Sequence, residues 1–292
     1  MPIPRRGQWL MVLQDFGHAP AFGCIAVAIL AWLRASRPTS TVGQQYSIAF
    51  ILTVVLGAAT ELAQFLVARD PSWYDLRSDI FGAAAFLGVA AAVDLRLRAT
   101  LRAMWGVVAL AVLTVHALPT IQMLRAYQHR TAAFPTLASF AEAIDLYFVQ
   151  PQWSDIDLVS LPARYADHPG ETALHVRLLP GDWPGVDFFE PAPDWRHFRT
   201  LALEIVNPTD AMLSLMLRTH DVHHNNEHSD RFNHTFDVPP QTRTTLRVSL
   251  VDIETAPRGR TMDTRRMADF LIFGKSDSAG AEFYLVSVRL DD

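Results

Sequence analysis

Seven polar residues interrupt the apolar segments of the first 134 residues, and their types suit proton transfer or the binding of a polar group. They are Asp15, His18, Glu61, Gln64, Arg69, Asp75 and Asp79. Charged side chains within a membrane-spanning segment are costly, so they usually face a partner or a wet cavity. A carboxylate in such surroundings can act as a general acid or base. Glu61 is therefore the first candidate for catalysis, with His18 as its partner.

Three interpretations of these seven residues stay open. The first is a polar clamp that fixes the helices against one another. The second is a ligand-binding or catalytic site, and the third is a path for protons or ions. Glu61 and Gln64 share one helix face because they are three residues apart. All seven are expected near one face of the membrane, because the start of the first segment, the end of the second and the start of the third lie at that face.

The elements that must position these residues are four apolar runs, each near the length of about 20 residues that crosses a bilayer. The runs are 16–33, 46–68, 78–93 and 103–124. Residues 1–134 carry a net charge of +5, whereas residues 135–292 carry −10. Such a sharp change marks a domain boundary and indicates a membrane part followed by a water-exposed part.

The polar pattern resembles the VanZ-like domain, a bacterial membrane family, over residues 10–125. The resemblance is carried by Asp15-Phe-Gly-His18, by Glu61-Leu-Ala-Gln64, and by Arg69, Asp75, Asp79 and Gly82. The chain departs from the family where Asp79 replaces a common asparagine, and it has almost no room for an extra span before His18. Family members are associated with glycopeptide resistance, but the resemblance implies no established reaction.

Residues 135–292 show the alternation of apolar and polar residues that is typical of strands. The segments that fit are Thr172–Leu178, Leu201–Val206, Leu213–Arg218, Thr245–Val251, Phe270–Phe273 and Phe283–Leu290. Clusters of proline, glycine, asparagine and aspartate separate them. Many short strands with little helical pattern predict an antiparallel β-sandwich.

This region is similar to carbohydrate-binding-module-like sandwiches of the galactose-binding type over residues 148–291. The matching pieces are Trp183-Pro-Gly185, Asp194-Trp195, Leu203–Asn207, Asp221, Asp230–Asn233, Leu250–Ile253, Ala256–Arg258 and Val286–Asp291. The resemblance implies a jelly-roll fold. It implies a glycan less directly, because the same fold hosts many ligands and some members bind none.

Sugar binding needs flat aromatic faces for the CH groups of the ring and polar side chains for its hydroxyls. The candidates are Trp153, Trp183, Asp221, Asn225, Asp230 and Arg231. Two structural alternatives compete with this interpretation. Trp183 and Trp195 could be packed in the core, as aromatic side chains of sandwiches usually are. Asp230 and Arg231 could form an ion pair at the start of a strand.

Two metal hypotheses remain for the second half. Four histidines between residues 220 and 228 could bind a transition metal, contact a sugar or lie in a solvated loop, and their spacing fits no closed zinc motif. They are His220, His223, His224 and His228. Sandwiches of this type often hold one structural calcium ion, which takes oxygen ligands. The resemblance therefore suggests Asp291 with Asp155 or Asp157; no other cofactor is expected.

Composition and missing motifs exclude several classes of protein. The single cysteine, Cys24, excludes a disulfide scaffold. The net charge of −5 gives no sign of a nucleic-acid partner. The sequence contains no glycine-rich phosphate loop, no His-Glu-x-x-His motif and no Gly-x-Ser-x-Gly motif.

We therefore predict a two-domain protein with an all-α transmembrane bundle of about four helices at 1–130 and an all-β jelly-roll sandwich at 135–292. Its expected location is the bacterial cytoplasmic membrane, as a multi-pass protein with the sandwich outside the cytoplasm. The expected partners are the lipid bilayer and an envelope glycan or lipid-linked precursor. The alternatives are a membrane enzyme that acts on such a precursor through Asp15, His18, Glu61 and Arg69, and a protein-docking module without catalysis.

Overall fold

The computed structural model describes residues 8–65, 72–191 and 194–292, with side chains from residue 16 onward except at 65 and 276. The chain divides into two compact units. The described part of the first unit is residues 8–124, and the second unit contains residues 125–292. Each unit is described by itself below.

Four long helices are each apolar and long enough to cross a membrane, as predicted. Their bounds are α1 Gln8–Ser36, α2 Val42–Phe65, α3 Trp73–Val93 and α4 Ala99–Ala133. The side chain of Ser72 caps α3 by accepting a hydrogen bond from the amide of Asp75. At 35 residues, α4 is about 52 Å long, which exceeds the roughly 30 Å hydrocarbon core of a bilayer.

The first unit is built on close packing of α1 against α3. An added Cβ at Gly82 would lie 2.0 Å from the carbonyl oxygen of Ala19. One hydrophobic cluster of this unit buries Ala26 and Leu30 of α1 together with Ala83 of α3. Small residues allow this approach and let dispersion contacts hold the helices where no hydrophobic effect acts between them.

The second unit is an antiparallel β-sandwich, as predicted. Its strands are β1 Thr136–Ala138, β2 Val149–Gln152, β3 Ser154–Ser160, β4 Thr172–Leu178, β5 Gly185–Phe189, β6 Thr200–Asn207, β7 Leu213–Asp221, β8 Phe232–Val238, β9 Thr242–Ser249, β10 Met267–Phe273 and β11 Glu282–Asp291. Sheet A has the order β3-β4-β11-β6-β9, with β1 also paired to β11. Sheet B has the order β2-β5-β10-β7-β8.

The core lies between the two sheets and follows the alternation of the strands. In β7, Leu213, Leu215 and Leu217 are buried while the residues between them are only partly buried. Trp195 and Phe270 are among the largest buried side chains. The predicted strand end at Val251 is wrong, because the chain turns into the short helix α5, Leu250–Thr255. Helical spacing there buries both Leu250 and Ile253.

We expect Gly82→Ala to destabilise the first unit, because a backbone carbonyl cannot move away from the added methyl group as a side chain could. Overpacking of this kind costs about 1–3 kcal/mol, so the thermal midpoint in detergent should fall by several degrees. Gly43→Ala in α2 is the matched control, since its Cβ would enter open space. Intrinsic fluorescence on heating measures both variants. Equal midpoints would show that α1 and α3 do not pack as described.

Candidate functional site

One polar cluster of the first unit joins the start of α1 to the start of α3. Nδ1 of His18 lies 3.0 Å from Oδ1 of Asp79. Nε2 of the same ring lies 3.8 Å from Oδ2 of Asp75. Both aspartates are buried, whereas His18 is partly exposed. The structure thus brings together three of the predicted residues, while the side chain of Asp15 and all of Arg69 lie outside the described residues.

Glu61 has different partners from those the sequence suggested. Its Oε2 accepts a hydrogen bond of 2.7 Å from the amide of Ser72. Its Oε1 accepts one of 3.3 Å from Nε2 of Gln64. The described contacts of His18 are with the two aspartates instead. Glu61 therefore ties the end of α2 to the start of α3, and the expected pair of Glu61 with His18 is wrong.

Asp79 is the least satisfied member of the cluster. Its Oδ2 is buried and has no hydrogen-bond partner among the described residues. An added Cβ at Gly57 would lie 2.9 Å from this oxygen. The glycine in α2 therefore leaves room for a buried carboxylate between two apolar helices, and such a group is costly unless it is neutralised.

A second polar cluster, which the sequence analysis missed, lies at the other end of the same helices. Asp94 accepts hydrogen bonds from Arg34 at 2.7 Å and from the hydroxyl of Tyr46 at 3.1 Å. Arg96 also pairs with Asp94 and reaches Oε1 of Gln45. The hydrogen bond from Arg96 holds the pKa of Asp94 well below its usual range. These contacts join α1, α2 and the end of α3.

In the sandwich, two of the predicted ligand-binding residues are held by one arginine. Arg260 donates to both oxygens of Asp221, at 2.7 and 2.8 Å, and also to Asp230. Burial would raise the pKa of Asp221, but hydrogen bonds from Arg260 and from the amide of Asp263 hold it below its usual range. The hydrogen bond from Arg260 lowers the pKa of Asp230 as well. The suggested ion pair of Asp230 with Arg231 is wrong, because Arg260 takes that place.

The histidine-rich segment folds around the same carboxylates. The amide of Asn225 donates to Asp230 at 2.9 Å, and its side-chain oxygen accepts from the amide of Glu227. The rings of His220 and His224 stack with their centroids 4.3 Å apart. Burial lowers the pKa of His224, and the neighbouring His220 acts in the same direction. Across the described residues, no three histidine, cysteine, aspartate or glutamate side chains form a group that could hold a metal ion.

The residues suggested for calcium lie far apart. Asp157 on β3 is opposite His175 on β4, and His175 is opposite Tyr284 on β11. Asp291 follows Tyr284 by seven residues on the same strand, which corresponds to about 20 Å. Asp155 faces Arg177 at 3.9 Å instead. The three aspartates therefore do not form one site.

Two of the candidate aromatic residues are exposed at one end of the sandwich. Trp153 is 63% exposed and Trp183 is 47% exposed. Trp153 stands between β2 and β3 with a φ of 44°, which is rare for a bulky residue and costs conformational energy. An added Cβ at Gly181 would lie 2.4 Å from the Trp153 ring. Trp183 meets the edge of Phe273 at 5.7 Å. Trp195, in contrast, is fully buried, as expected of a core residue.

Side chains on the outer side of sheet B form a mixed aromatic and charged face, called here the sheet B face, in which Phe273, Asp187 and Asp269 are buried. One row across the sheet consists of Gln152, Gly185, Phe273, Met216 and Thr235. The next row consists of Gln150, Asp187, Leu271, Arg218 and Asn233. Beyond it, Nε2 of His220 lies 3.0 Å from Oδ1 of Asp269. The polar positions alternate with core positions along β7 and β10, and that alternation was the signal that could have identified them.

Comparison with known proteins adds a likeness for the sandwich alone. No family model matches the chain, and no curated protein is significantly similar to it. The solved structures that resemble it include a family 11 carbohydrate-binding module from Clostridium thermocellum in complex with a β-1,3-1,4-mixed-linked tetrasaccharide. That likeness has 11% identity and a TM-score of 0.40, over 53% of this chain and 94% of the module.

Two enzymes show the same kind of likeness over part of their length. An exo-β-agarase matches at 12% identity and a TM-score of 0.40, over 50% of this chain and 23% of the enzyme. The CBM22-1–GH10 modules of xylanase 10B from Clostridium thermocellum, complexed with xylohexaose, match at 9% identity and a TM-score of 0.34, over 53% of this chain and 27% of theirs. The β-sandwich assignment itself rests on the strand order and register described above.

We expect Arg260→Met to lower the free energy of unfolding of the sandwich by about 3 kcal/mol at pH 7, because it leaves the buried carboxylate of Asp221 without its partner. The pKa values of Asp221 and Asp230 are lowered in the folded protein. Their stabilisation is therefore complete above the usual carboxyl pKa of about 4 and is lost as the pH falls through the folded values. The difference between the two proteins should shrink at pH 3.

Urea unfolding followed by tryptophan fluorescence measures this difference at both pH values. Arg196→Met is the matched control, because Arg196 pairs with Asp194 on an exposed surface. Exposed pairs contribute little, so this variant should unfold like the original chain. An Arg260→Met difference that is the same at pH 7 and pH 3 would contradict the assigned role.

Proposed function

We propose that this chain is a bacterial membrane protein of VanZ-like type whose sandwich binds an envelope glycan outside the cytoplasm. The observation that carries the proposal is the exposure of Trp153 and Trp183 beside the polar rows of the sheet B face. A sugar ring presents CH groups that pack on a flat aromatic ring and hydroxyls that hydrogen-bond to amides and carboxylates. The end of the sandwich with Trp153 and Trp183, called here the aromatic end, offers flat rings for the CH groups. Side chains such as Gln150 and Asn233 offer hydrogen bonds for the hydroxyls.

The setting of Trp153 supports a binding role over an accidental exposure. Its backbone is strained and its ring lies against Gly181, where any side chain would displace it. Strain of this kind persists where surrounding structure enforces it, and it is frequent at ligand sites. A large exposed aromatic ring also keeps apolar surface in contact with water, which is unfavourable. A glycan that stacks on the ring would remove that surface from water.

We expect Trp153→Ala and Trp183→Ala each to weaken glycan binding about tenfold or more, since a factor of ten corresponds to about 1.4 kcal/mol. Gly181→Ala should weaken it too by displacing the Trp153 ring. The measurement is calorimetry with the full chain in detergent and a tetrasaccharide of N-acetylglucosamine, followed by a mixed-linked β-glucan tetrasaccharide. Val251→Ala is the control, because Val251 is equally exposed but lies in α5. A folded protein that binds neither probe would contradict the proposal and favour the protein-docking alternative.

A second candidate function is favoured by the cluster of His18, Asp75 and Asp79. These residues, together with Glu61, match the motif positions of the VanZ-like family, and they converge at one end of α1, α2 and α3. Within the described residues no arginine or lysine neutralises the two aspartates. The cluster suits a polar headgroup, and this supports a membrane enzyme that acts on a lipid-linked envelope precursor.

Asp79→Asn and Glu61→Gln separate this candidate from a purely structural clamp. Because both oxygens of Glu61 accept hydrogen bonds, Glu61→Gln should lower the thermal midpoint by several degrees. If the cluster is a ligand site, Asp79→Asn should keep the midpoint within about one degree and lose a lipid that co-purifies with the original chain, as detected by native mass spectrometry. If Asp79→Asn instead lowers the midpoint as much as Glu61→Gln does, the cluster is a clamp.

A further inference from the structure

Two partly buried arginines on the sheet B face have no ion-pair partner among the described residues. Nε of Arg218 donates to Oδ1 of Asn233 at 3.1 Å, and its guanidinium lies 4.6 Å from the centre of the Phe273 ring. Among the described residues, the Arg218 side chain has no further hydrogen-bond or ion-pair partner. Nε of Arg231 is buried and has no hydrogen-bond partner in the same part of the chain.

Other partly buried arginines of the sandwich show what such a side chain normally finds. Arg243 pairs with Glu171 at 2.8 Å and with Glu204 at 3.0 Å. Arg260 pairs with two aspartates, as described above. A charge that leaves water costs free energy unless a counter-charge compensates it. Arg218 and Arg231 bear that cost with no carboxylate of the described residues at ion-pair distance, although Asp269 acts on both charges from farther away.

The register places the two unpaired arginines side by side. Arg218 on β7 is opposite Asn233 on β8, and Arg231 precedes Asn233 by two residues in extended backbone. Diagonal neighbours of this kind lie about 7–8 Å apart and share one face of the sheet. Burial lowers the pKa of Arg218 to about 10, and the positive charge of Arg231 acts in the same direction. One anionic group between them would relieve both.

One acidic residue of the face, Asp269 on β10, is the diagonal neighbour of Arg218 and favours the charged form of both arginines. Asp187 on β5 is two strands away from Arg218 in the same row. Asp269 on β10 faces His220 at 3.0 Å. Arg231 and Asn233 also line an open cavity of about 510 Å³, together with Arg258 and the acidic residues Glu227 and Asp252. The space that a ligand group needs is therefore present beside Arg231, with charges of both signs around it.

We propose that Arg218 and Arg231 bind an acidic group, a carboxylate, phosphate or sulfate, carried by a sugar residue of the glycan. This inference rests on the proposed function and adds the class of its ligand. The planar guanidinium groups suit oxyanions, because each can donate two parallel hydrogen bonds. The aromatic end would hold the neutral ring faces of the same polymer, and the arginines would select polymers with acidic residues.

The test compares probes that differ only in charge, using the full chain in detergent. Tetragalacturonate and its methyl ester form one pair, and a phosphorylated mannan oligosaccharide and its dephosphorylated form are the other. At least one acidic probe should bind tenfold or more tightly than its neutral partner at low salt, and the preference should shrink at 0.5 M NaCl. Arg218→Gln with Arg231→Gln should abolish the preference and change neutral binding less than twofold.

Arg177→Gln is the matched control, because Arg177 is an exposed arginine on sheet A that pairs only loosely with Asp155. It should keep the full preference, and circular dichroism should show all variants folded. Equal binding of acidic and neutral probes, still lost in Trp183→Ala, would overturn the inference while leaving the proposed function intact. Absence of binding to all four oligosaccharides would overturn the inference, and it would overturn the proposed function too if the N-acetylglucosamine and β-glucan tetrasaccharides also fail to bind.

Two further probes identify the source of the acidic group. Inorganic phosphate and phosphatidylglycerol vesicles are offered separately, with phosphatidylcholine vesicles as the neutral reference. Binding of the acidic oligosaccharide at least tenfold tighter than inorganic phosphate supports a group carried by a sugar. Equal affinity for inorganic phosphate, or arginine-dependent binding to the anionic vesicles in place of the oligosaccharides, would overturn the assignment to a glycan.

Discussion

The ion pairs of Arg260 hold one end of the sandwich in place. Asp221 at the end of β7 is fully buried, and Asp230 in the next loop is nearly so. Charges in that position cost several kcal/mol when left alone, so the loops on either side can fold only in an arrangement that brings Arg260 between them. The amides of His223, Asn225 and Asp263 donate to the same two carboxylates. A segment whose composition resembles a ligand loop is therefore part of the scaffold.

The helical unit obeys the same constraint with a different result at each end. Near Asp94, two arginines and a tyrosine hydroxyl compensate the carboxylate, and the cluster is a satisfied junction of α1, α2 and α3. Near His18, one imidazole faces two aspartates, and Oδ2 of Asp79 remains without a described partner. Apolar helices can hold such a group only at a cost. This difference between the two ends is the physical reason to look for chemistry at the end that contains His18 and Asp79.

Much of the architecture followed from periodicity and charge, because both report burial directly. Four apolar runs predicted four helices, and alternation located six of the strands. Strands β1, β2, β3, β5 and β8 were missed. In β2 and β3, a proline and exposed charges hide the pattern, and in β5 a charged residue, Asp187, is buried among apolar ones. The end of β9 was missed because Leu250 fits a strand and a helix equally well until Ile253 is seen to be buried beside it.

The site was harder to predict because partners depend on tertiary contacts between distant segments. Asp230 and Arg231 are adjacent in sequence, yet Asp230 pairs with an arginine thirty positions away. The sequence analysis paired Glu61 with His18 by chemical type, whereas the packing of α3 against α1 gives His18 a hydrogen bond with Asp79. Trp183 was a candidate for sugar binding with a place in the core as the alternative, and only the surroundings of Trp183 and Trp195 separate the exposed ring from the buried one. Residue types limited the candidates, and geometry chose among them.

The layout of the sheet B face also limits the size of any ligand that uses it fully. Phe273, which supports Trp183, is opposite Met216 on β7. Continuing the β7–β8 register by one residue beyond Thr219 and Phe232 brings Arg231 opposite His220 of β7. Four residues of extended strand separate Met216 from His220, which is about 14 Å. Arg218 lies against Phe273, so one sugar residue could contact Trp183 and Arg218 but could not also reach Arg231. A ligand that contacts both Trp183 and Arg231 must be an oligomer laid along the strands, with its neutral rings at one end and its acidic group at the other.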